Sequence, residues 1–290
     1  MNNIQIDGEW DELCPIFFSD EDVFEQIGTG VLINIFDTVY LLTASHVIDN
    51  LYNSEGARLL IPTVNGFSTL GGTLYHKPLQ IGEHRDDDKI DFSFCKLCDK
   101  LIEILHEDLV PLPEHKIGFL NDYSVDIGIS KKFVYDKNTP KNMKILYGKS
   151  SSVSENVIDE MNDLVCEQTI VFAGFPNTKS RSKSGIHETE TVYYHGRGLS
   201  SEEYILNNYD KTVNILAEHG KQGVMDSSFN RKNSPKPHGI SGGGIYKIVK
   251  TNTGFDRELI GIGHTYKKRN HLFVGTHINY CIPLLKKVKE

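Results

Sequence analysis

Val31-Leu32-Ile33-Asn34-Ile35-Phe36-Asp37-Thr38-Val39-Tyr40-Leu41-Leu42-Thr43-Ala44-Ser45-His46 contains two apolar, β-branched runs and ends on an imidazole. The runs read as two strands joined by a turn at Asp37-Thr38, the second delivering His46 to its end. Just beyond, Val47-Ile48-Asp49-Asn50-Leu51 fits a short helical turn. Another strand is legible in Ile90-Asp91-Phe92-Ser93-Phe94-Cys95-Lys96-Leu97, where larger apolar residues alternate with smaller or polar ones. A period of two puts one face of such a strand into a barrel core. Asp91 opens this strand, and Asp86-Asp87-Asp88 before it read as a solvated loop. Far downstream, Gly239-Ile240-Ser241-Gly242-Gly243 sets a serine among glycines.

The three words Thr43-Ala44-Ser45-His46, Asp91-Phe92-Ser93-Phe94 and Gly239 to Gly243 supply a base, an orienting carboxylate and a hydroxyl. Acyl transfer by serine needs all three. A serine hydroxyl barely ionises at neutral pH, so an imidazole must take its proton during attack. A buried carboxylate must in turn fix the tautomer of that imidazole and stabilise the imidazolium. Glycines around the serine permit a tight turn whose backbone N–H groups face a developing oxyanion.

In this order, the words resemble the chymotrypsin-like (trypsin-fold) serine peptidases, particularly the divergent, disulfide-free trypsin-like peptidase domains of bacteria. The family motifs are T-A-[AGS]-H, D-[IVF]-[AS]-[LF] and G-x-S-G-G. Gly28-Thr29-Gly30-Val31 resembles the strand that enters the family's first barrel, and Ile170 to Pro176 resembles one near the start of the second. Leu259 to Gly263 and Ile278 to Pro283 resemble its last two strands, which line the specificity pocket and close the barrel. The resemblance covers roughly residues 25–120 and 165–285.

It implies an all-β fold of two antiparallel six-stranded β-barrels, with inserted loops and few short helices. Residues 1–120 would form the first barrel, carrying His46 and Asp91. Residues 121–165 would be an insertion or inter-barrel connection, and 166–290 the second barrel with Ser241. The function implied is a serine endopeptidase working through an acyl-enzyme without cofactor or metal. His46 would be base then acid, Asp91 the orienter and Ser241 the nucleophile, with the backbone N–H groups of Gly239 and Ser241 as oxyanion hole. His238 is read as a loop residue. Pro235 falls where trypsins keep the pocket carboxylate, so preference for Arg or Lys is not implied, Asp226 being distant in sequence. Gly263, His264, Thr265, Thr276 and His277 fall on the strands of the pocket walls. His264 is offset by one residue from the histidine that meets substrate in glutamate-preferring relatives, and a one-residue slip reverses a strand's face. Ile240 replaces the aspartate that pairs with a freed N-terminus in secreted trypsins, so control would pass to an activating protein partner or a loop rearrangement. Bacterial stress or antiphage defence is the role the family suggests. The alternative is a catalytically silent trypsin-fold module that holds a peptide. A serine esterase of another fold is disfavoured, because Gly242-Gly243-Gly244 is a poor helix start and the order of the three words is wrong for it.

Of the 290 residues, 39% are hydrophobic and 24% charged, and the net charge is −8. Short clusters such as Lys267-Lys268-Arg269 make no basic stripe, so nucleic acid is not an expected partner. No run of roughly 18 apolar residues suggests a membrane span. Met1 to Glu9 show neither a basic n-region nor an apolar h-region. The five cysteines are an odd number, which points to reduced thiols and a cytoplasmic protein. Cys95-Lys96-Leu97-Cys98 has metal-ligand spacing but no second pair to complete a tetrahedral site, so both read as ordinary cysteines. Turn-rich and polar tracts mark 121–165 as an insertion or inter-barrel connection. Within the extended region 177–235 the polar runs Ser180 to Gly185 and Ser227 to Asn233 read as surface loops, with one capped helix beginning near Ser200.

Overall fold

The computed structural model describes residues 3–7, 10–20, 23–49, 51, 56–77, 84–85, 88–118, 129–134, 144–146, 169–183, 186–219, 224–225, 231–232, 235–251 and 254–289. Most of the 121–165 tract, Asp86, Asp87, Cys166 and Asp226 lie outside them.

Six strands organise the first half: β1 (Leu13–Ser19), β2 (Phe24–Ile35), β3 (Thr38–Thr43), β4 (Arg58–Thr63), β5 (Gly72–His76) and β6 (Ser93–Leu97). They pair antiparallel in the order β5-β6-β3-β2-β1-β4. Their alternation is the reason they curl round a common interior. Cys14, Ile16, Leu32, Leu41, Leu59, Ile61, Leu74 and Cys95, drawn from all six, form one buried cluster. Full burial of each such side chain contributes about 1.5–3 kcal/mol before entropy is counted. Among the described residues the hydrogen-bond ladder of this sheet does not close, so the first barrel is a half-barrel beside a closed second one. Strands Ile129–Val134 and Lys144–Leu146, from the tract read as an insertion, extend this sheet beyond β5. The turn after β2 falls on Phe36 and Asp37, both left-handed at φ 55° and 57°, one residue earlier than read.

In the second half, β7 (Thr169–Gly174), β8 (Val192–Gly198), β9 (Asn214–Glu218), β10 (Gly244–Thr251), β11 (Gly254–Lys267) and β12 (Leu272–His277) close a six-stranded barrel in the order β7-β8-β9-β12-β11-β10. Ile170, Phe172, Tyr194, Ile215, Ile245 and Phe273 fill it. The fold is thus the chymotrypsin-like pair of β-barrels, with few short helices.

Four helices are described: α1 (Ser45–Asp49), α2 (Asp99–Ile102), α3 (Ser201–Leu206) and α4 (Ile278–Lys289). The Ser200–Glu203 capping box starts α3 as the sequence indicates. Helix α4 corrects the reading of Ile278 to Pro283 as a strand. Ile278, Cys281, Ile282 and Leu285 recur at helical spacing and all enter the core between the barrels. That core also takes Val31, Tyr40 and Phe92 from the first barrel and Phe175, Tyr246 and Ile262 from the second. The Glu12 carboxylate, on the first side, accepts from Arg257 Nε at 3.2 Å and Nη2 at 2.9 Å, and the guanidinium lies over Trp10. No helix among the described residues is long and apolar enough to cross a membrane.

Candidate active site

Strand β3 ends at Thr43, and one turn later α1 carries His46 to the groove between the barrels. The His46 ring is 32% exposed, whereas the Asp91 side chain is 1% exposed. Asp91 Oδ2 lies 2.6 Å from His46 Nδ1, and Oδ1 accepts from the His46 backbone N–H at 3.1 Å. One carboxylate thereby fixes both the ring and the start of its helix. Burial opposes ionisation of Asp91, but the hydrogen bond and charge of His46, with His264 and Arg85 adding to them, hold its carboxyl well below the ordinary range. Burial also works against a charged His46, yet the Asp91 hydrogen bond and charge raise its pKa above the ordinary 6.5.

Ser241 comes from the tight loop before β10. Gly239 and Gly242 both have φ near +90°, at 89° and 86°. A Cβ on Gly242 would stand 2.0 Å from Thr29 O and 2.1 Å from Thr43 Oγ1, and one on Gly239 would strike Asn177. The loop is pinned by Gly242 N–H to Gly263 O at 2.7 Å and Gly263 N–H to Gly243 O at 2.8 Å. Neither the Gly239 N–H nor the Ser241 N–H donates to any described residue, which leaves both for an oxyanion.

Thr29 is the site residue that motif reading missed. Its N–H donates to Ser241 O at 2.8 Å and its hydroxyl to Gly239 O at 3.0 Å, so the first barrel grips the Ser241 loop of the second. The Gly28-Thr29-Gly30 word was legible as a strand entry, but its partner lies more than two hundred residues away.

His46, Gly239 and Ser241 line one groove of about 730 Å³. The Ser241 hydroxyl donates to the His264 carbonyl at 3.2 Å and makes no hydrogen bond to the His46 ring. Pro235, Lys236, Tyr194 and Lys268 also line the groove, with no carboxylate among its described walls. Gly263, His264 and Thr265 border a smaller cavity of about 30 Å³ beside Ser241. His264 sits where the β11–β12 register shifts, between Gly263 and Thr265. It is buried, with Nδ1 3.0 Å from Thr265 Oγ1, and burial pushes its pKa down to about 4, so the ring is neutral. Thr276 and His277 are wholly buried and border neither cavity. Burial lowers the His277 pKa to about 3, and its Nδ1 accepts from the Asn279 N–H at 3.2 Å. Asp88, read as part of a solvated loop, is instead buried against Arg85 and Lys77, because two cations reach it across the turn. Cys95 is buried in the first barrel and Cys98 is exposed. Among the described residues no group of three metal-ligating side chains converges.

Two barrels share one groove in the chymotrypsin-like arrangement, with imidazole and carboxylate from the first and hydroxyl from the second. No family model matches the chain. No curated protein matches it either. Among solved structures it is similar to neuropsin, a serine protease expressed in the limbic system of mouse brain, at 13% identity over 97% of this chain and 95% of that one, TM-score 0.48. It is also similar to the tobacco vein mottling virus protease, at 11% identity over 92% and 77%, TM-score 0.40. A third similar structure is the Vibrio cholerae VesB protease, at 13% identity over 97% and 64%, TM-score 0.48.

Proposed function

We propose that the protein is a serine endopeptidase acting through an acyl-enzyme on Ser241. The observation that carries this is the 2.6 Å His46–Asp91 pair facing the same groove as Ser241 and Gly239, whose N–H donates to no described residue. With Nδ1–H committed to Asp91, the other ring nitrogen of His46 is the acceptor for the serine proton. Attack requires the hydroxyl to leave the His264 carbonyl for that nitrogen, at the cost of one neutral hydrogen bond, about 1 kcal/mol. The carbonyl oxygen of the substrate then takes negative charge opposite the Gly239 and Ser241 N–H groups. His46 returns the proton to the leaving amine, and water releases the acyl group by the same steps.

Control by an activating protein partner or a loop rearrangement suits a nucleophile that rests on the wrong acceptor. Buried, unpaired Cys14, Cys95 and Cys281 suit a reducing, cytoplasmic setting, in which a regulated protease of stress or antiphage defence would work. Lys236 and Lys268 in the groove, and proline at residue 235, argue against Arg or Lys at the cleaved position. A desolvated cation there would lose hydration and gain no counter-charge. The Ser241–His264 bond is also what a catalytically silent peptide-binding module would keep.

A fluorophosphonate probe separates the two readings. The wild type should be labelled on Ser241, while folded Ser241→Ala and His46→Ala should not react. A folded wild type that stays unlabelled both alone and in the lysate of its own cells, where an activating partner would be present, makes the chain a binding module. New protein termini in cells expressing the wild type but not Ser241→Ala then identify the substrate, with Arg and Lys expected to be scarce at the cleaved position.

A further inference from the structure

A second histidine–carboxylate pair lies behind the first. His76, on β5, has Nδ1 2.9 Å from Ser93 Oγ and Nε2 3.0 Å from Asp49 Oδ1. Ser93 Oγ is 2.7 Å from Ser45 Oγ, which reaches the Phe92 carbonyl at 2.7 Å. Ser45, Ser93 and His76 are all buried. Ser45, Asp49, Phe92 and Ser93 each sit within three residues of His46 or Asp91, and His76 joins them from β5. Ser45 precedes His46, Phe92 follows Asp91, and Asp49 closes the helix that His46 occupies. The chain of contacts therefore ties the element carrying the imidazole to the element carrying the carboxylate. At its outer end Arg85 clamps Asp49 through Nε at 2.7 Å and Nη2 at 2.8 Å, while Nη1 holds Asp88 at 2.7 Å.

Proton supply gives this chain a direction. Four contacts link Phe92 O, Ser45, Ser93, His76 and Asp49 in series. With His76 neutral, two hydroxyls and one ring N–H supply three hydrogens. The Asp49 carboxylate claims the Nε2 hydrogen, so Ser93 must donate to Nδ1, and Ser45 serves either Ser93 or Phe92 O. With His76 protonated, Nδ1–H donates to Ser93, Ser93 to Ser45, and Ser45 to Phe92 O, which fills all four. The groups facing His76 are Asp49 from α1, Ser93 from β6, and the charges of Arg85 and Asp91, while strand Ile129–Val134 sets Ser130 opposite it. Burial favours the neutral ring, with Asp49 opposing.

We propose that Ser45, Ser93, His76 and Asp49 form a positioning relay whose hydroxyl direction sets how firmly the His46–Asp91 pair is held. The relay leans on the peptidase reading only for its effect on turnover, because its grip on His46 is measurable without a substrate. His46 itself is faced by Asp91, Asp49, Arg85 and His264, and Asp49 and Arg85 push its proton affinity in opposite directions.

The test uses the full chain with Asp49→Asn, Ser93→Ala, His76→Gln and His76→Leu. Histidine NMR follows the His46 titration, fluorophosphonate inactivation is timed across pH, and thermal unfolding reports structural cost. Asp49→Asn should move the His46 midpoint down by about 0.5 unit, since an anion is lost and Arg85 stays. Ser93→Ala and His76→Leu should slow inactivation roughly ten-fold, the cost of a small misplacement of the base. His76→Gln, whose amide can accept from Ser93 and donate to Asp49, should recover most of that rate. Folded variants with an unchanged His46 titration and unchanged inactivation overturn the relay. Should His76→Leu not fold, Asp49→Asn and His76→Gln decide the matter. A wild type that never labels ends the peptidase reading, and the His46 titration still settles the relay.

Discussion

The first barrel holds its part of the site with side chains, and the second holds its part with backbone. His46, Asp91, Ser45, Ser93 and His76 are joined by hydroxyl, ring and carboxylate contacts. The Gly239–Gly243 loop is fixed by main-chain bonds to Gly263 and Ile240 and by Thr29, through space that only hydrogen can fill at Gly242. Side-chain contacts titrate, whereas amide contacts do not. The His46–Asp91 half therefore answers to pH and isosteric substitution, and the Ser241 half answers to volume.

The largest break in that contrast should come from Asp91→Asn. An amide at this position can turn its N–H₂ to His46 and hold the wrong tautomer while the fold is kept. Fluorophosphonate inactivation should fall roughly 10⁴-fold, the scale known for this change in serine proteases. A loss below ten-fold would mean that His46 does not depend on Asp91.

Next in size is Gly242→Ala, which tests the backbone-held half. The added methyl meets Thr29 O and Thr43 Oγ1 at about 2 Å, at a φ of 86°. Strain and overpacking together should cost ~3 kcal/mol or more in denaturant unfolding. Near-wild-type stability would show that the loop can move aside.

The smallest effect, and the one confined to the first barrel, is that of pH. As a base, His46 must be neutral, so inactivation should rise with pH through a midpoint above 6.5. The stability that the pair supplies follows from the same shifts. Because its folded pKa is raised, the His46 contribution is complete below 6.5 and is lost as pH climbs through the folded value. The depressed Asp91 contributes above 3.8 and loses that contribution as pH falls through its folded value. The pair therefore stabilises most between 3.8 and 6.5. In Asp91→Asn that pH dependence should flatten, and a curve unchanged from wild type would assign it to other groups.

Legibility in the sequence followed how local each determinant is. The three words name His46, Asp91 and Ser241 because each is written within five residues, and the Ser200–Glu203 cap announces α3 for the same reason. His264 was harder to place, since one extra residue at the β11 bulge decides which way a side chain turns. Thr276 and His277 sit on the right strand, but both are wholly buried. The apolar residues of Ile278 to Leu285 suit a strand until the core between the barrels selects helical spacing. His76 carries no motif at all, and the Gly28-Thr29-Gly30 word announces only a strand, because their partners come from distant segments.

Strand Asn3–Asp7 runs parallel to Ile186–Glu190, residue against residue. Strands of that kind need a long connection, and here the whole first barrel lies within it. A ribosome must deliver residue 190 before the strand at residue 3 has anything to join, so this ladder is among the last to settle. Until then Asn3–Asp7 lacks its ladder partner, and the growing chain carries that strand edge unpaired.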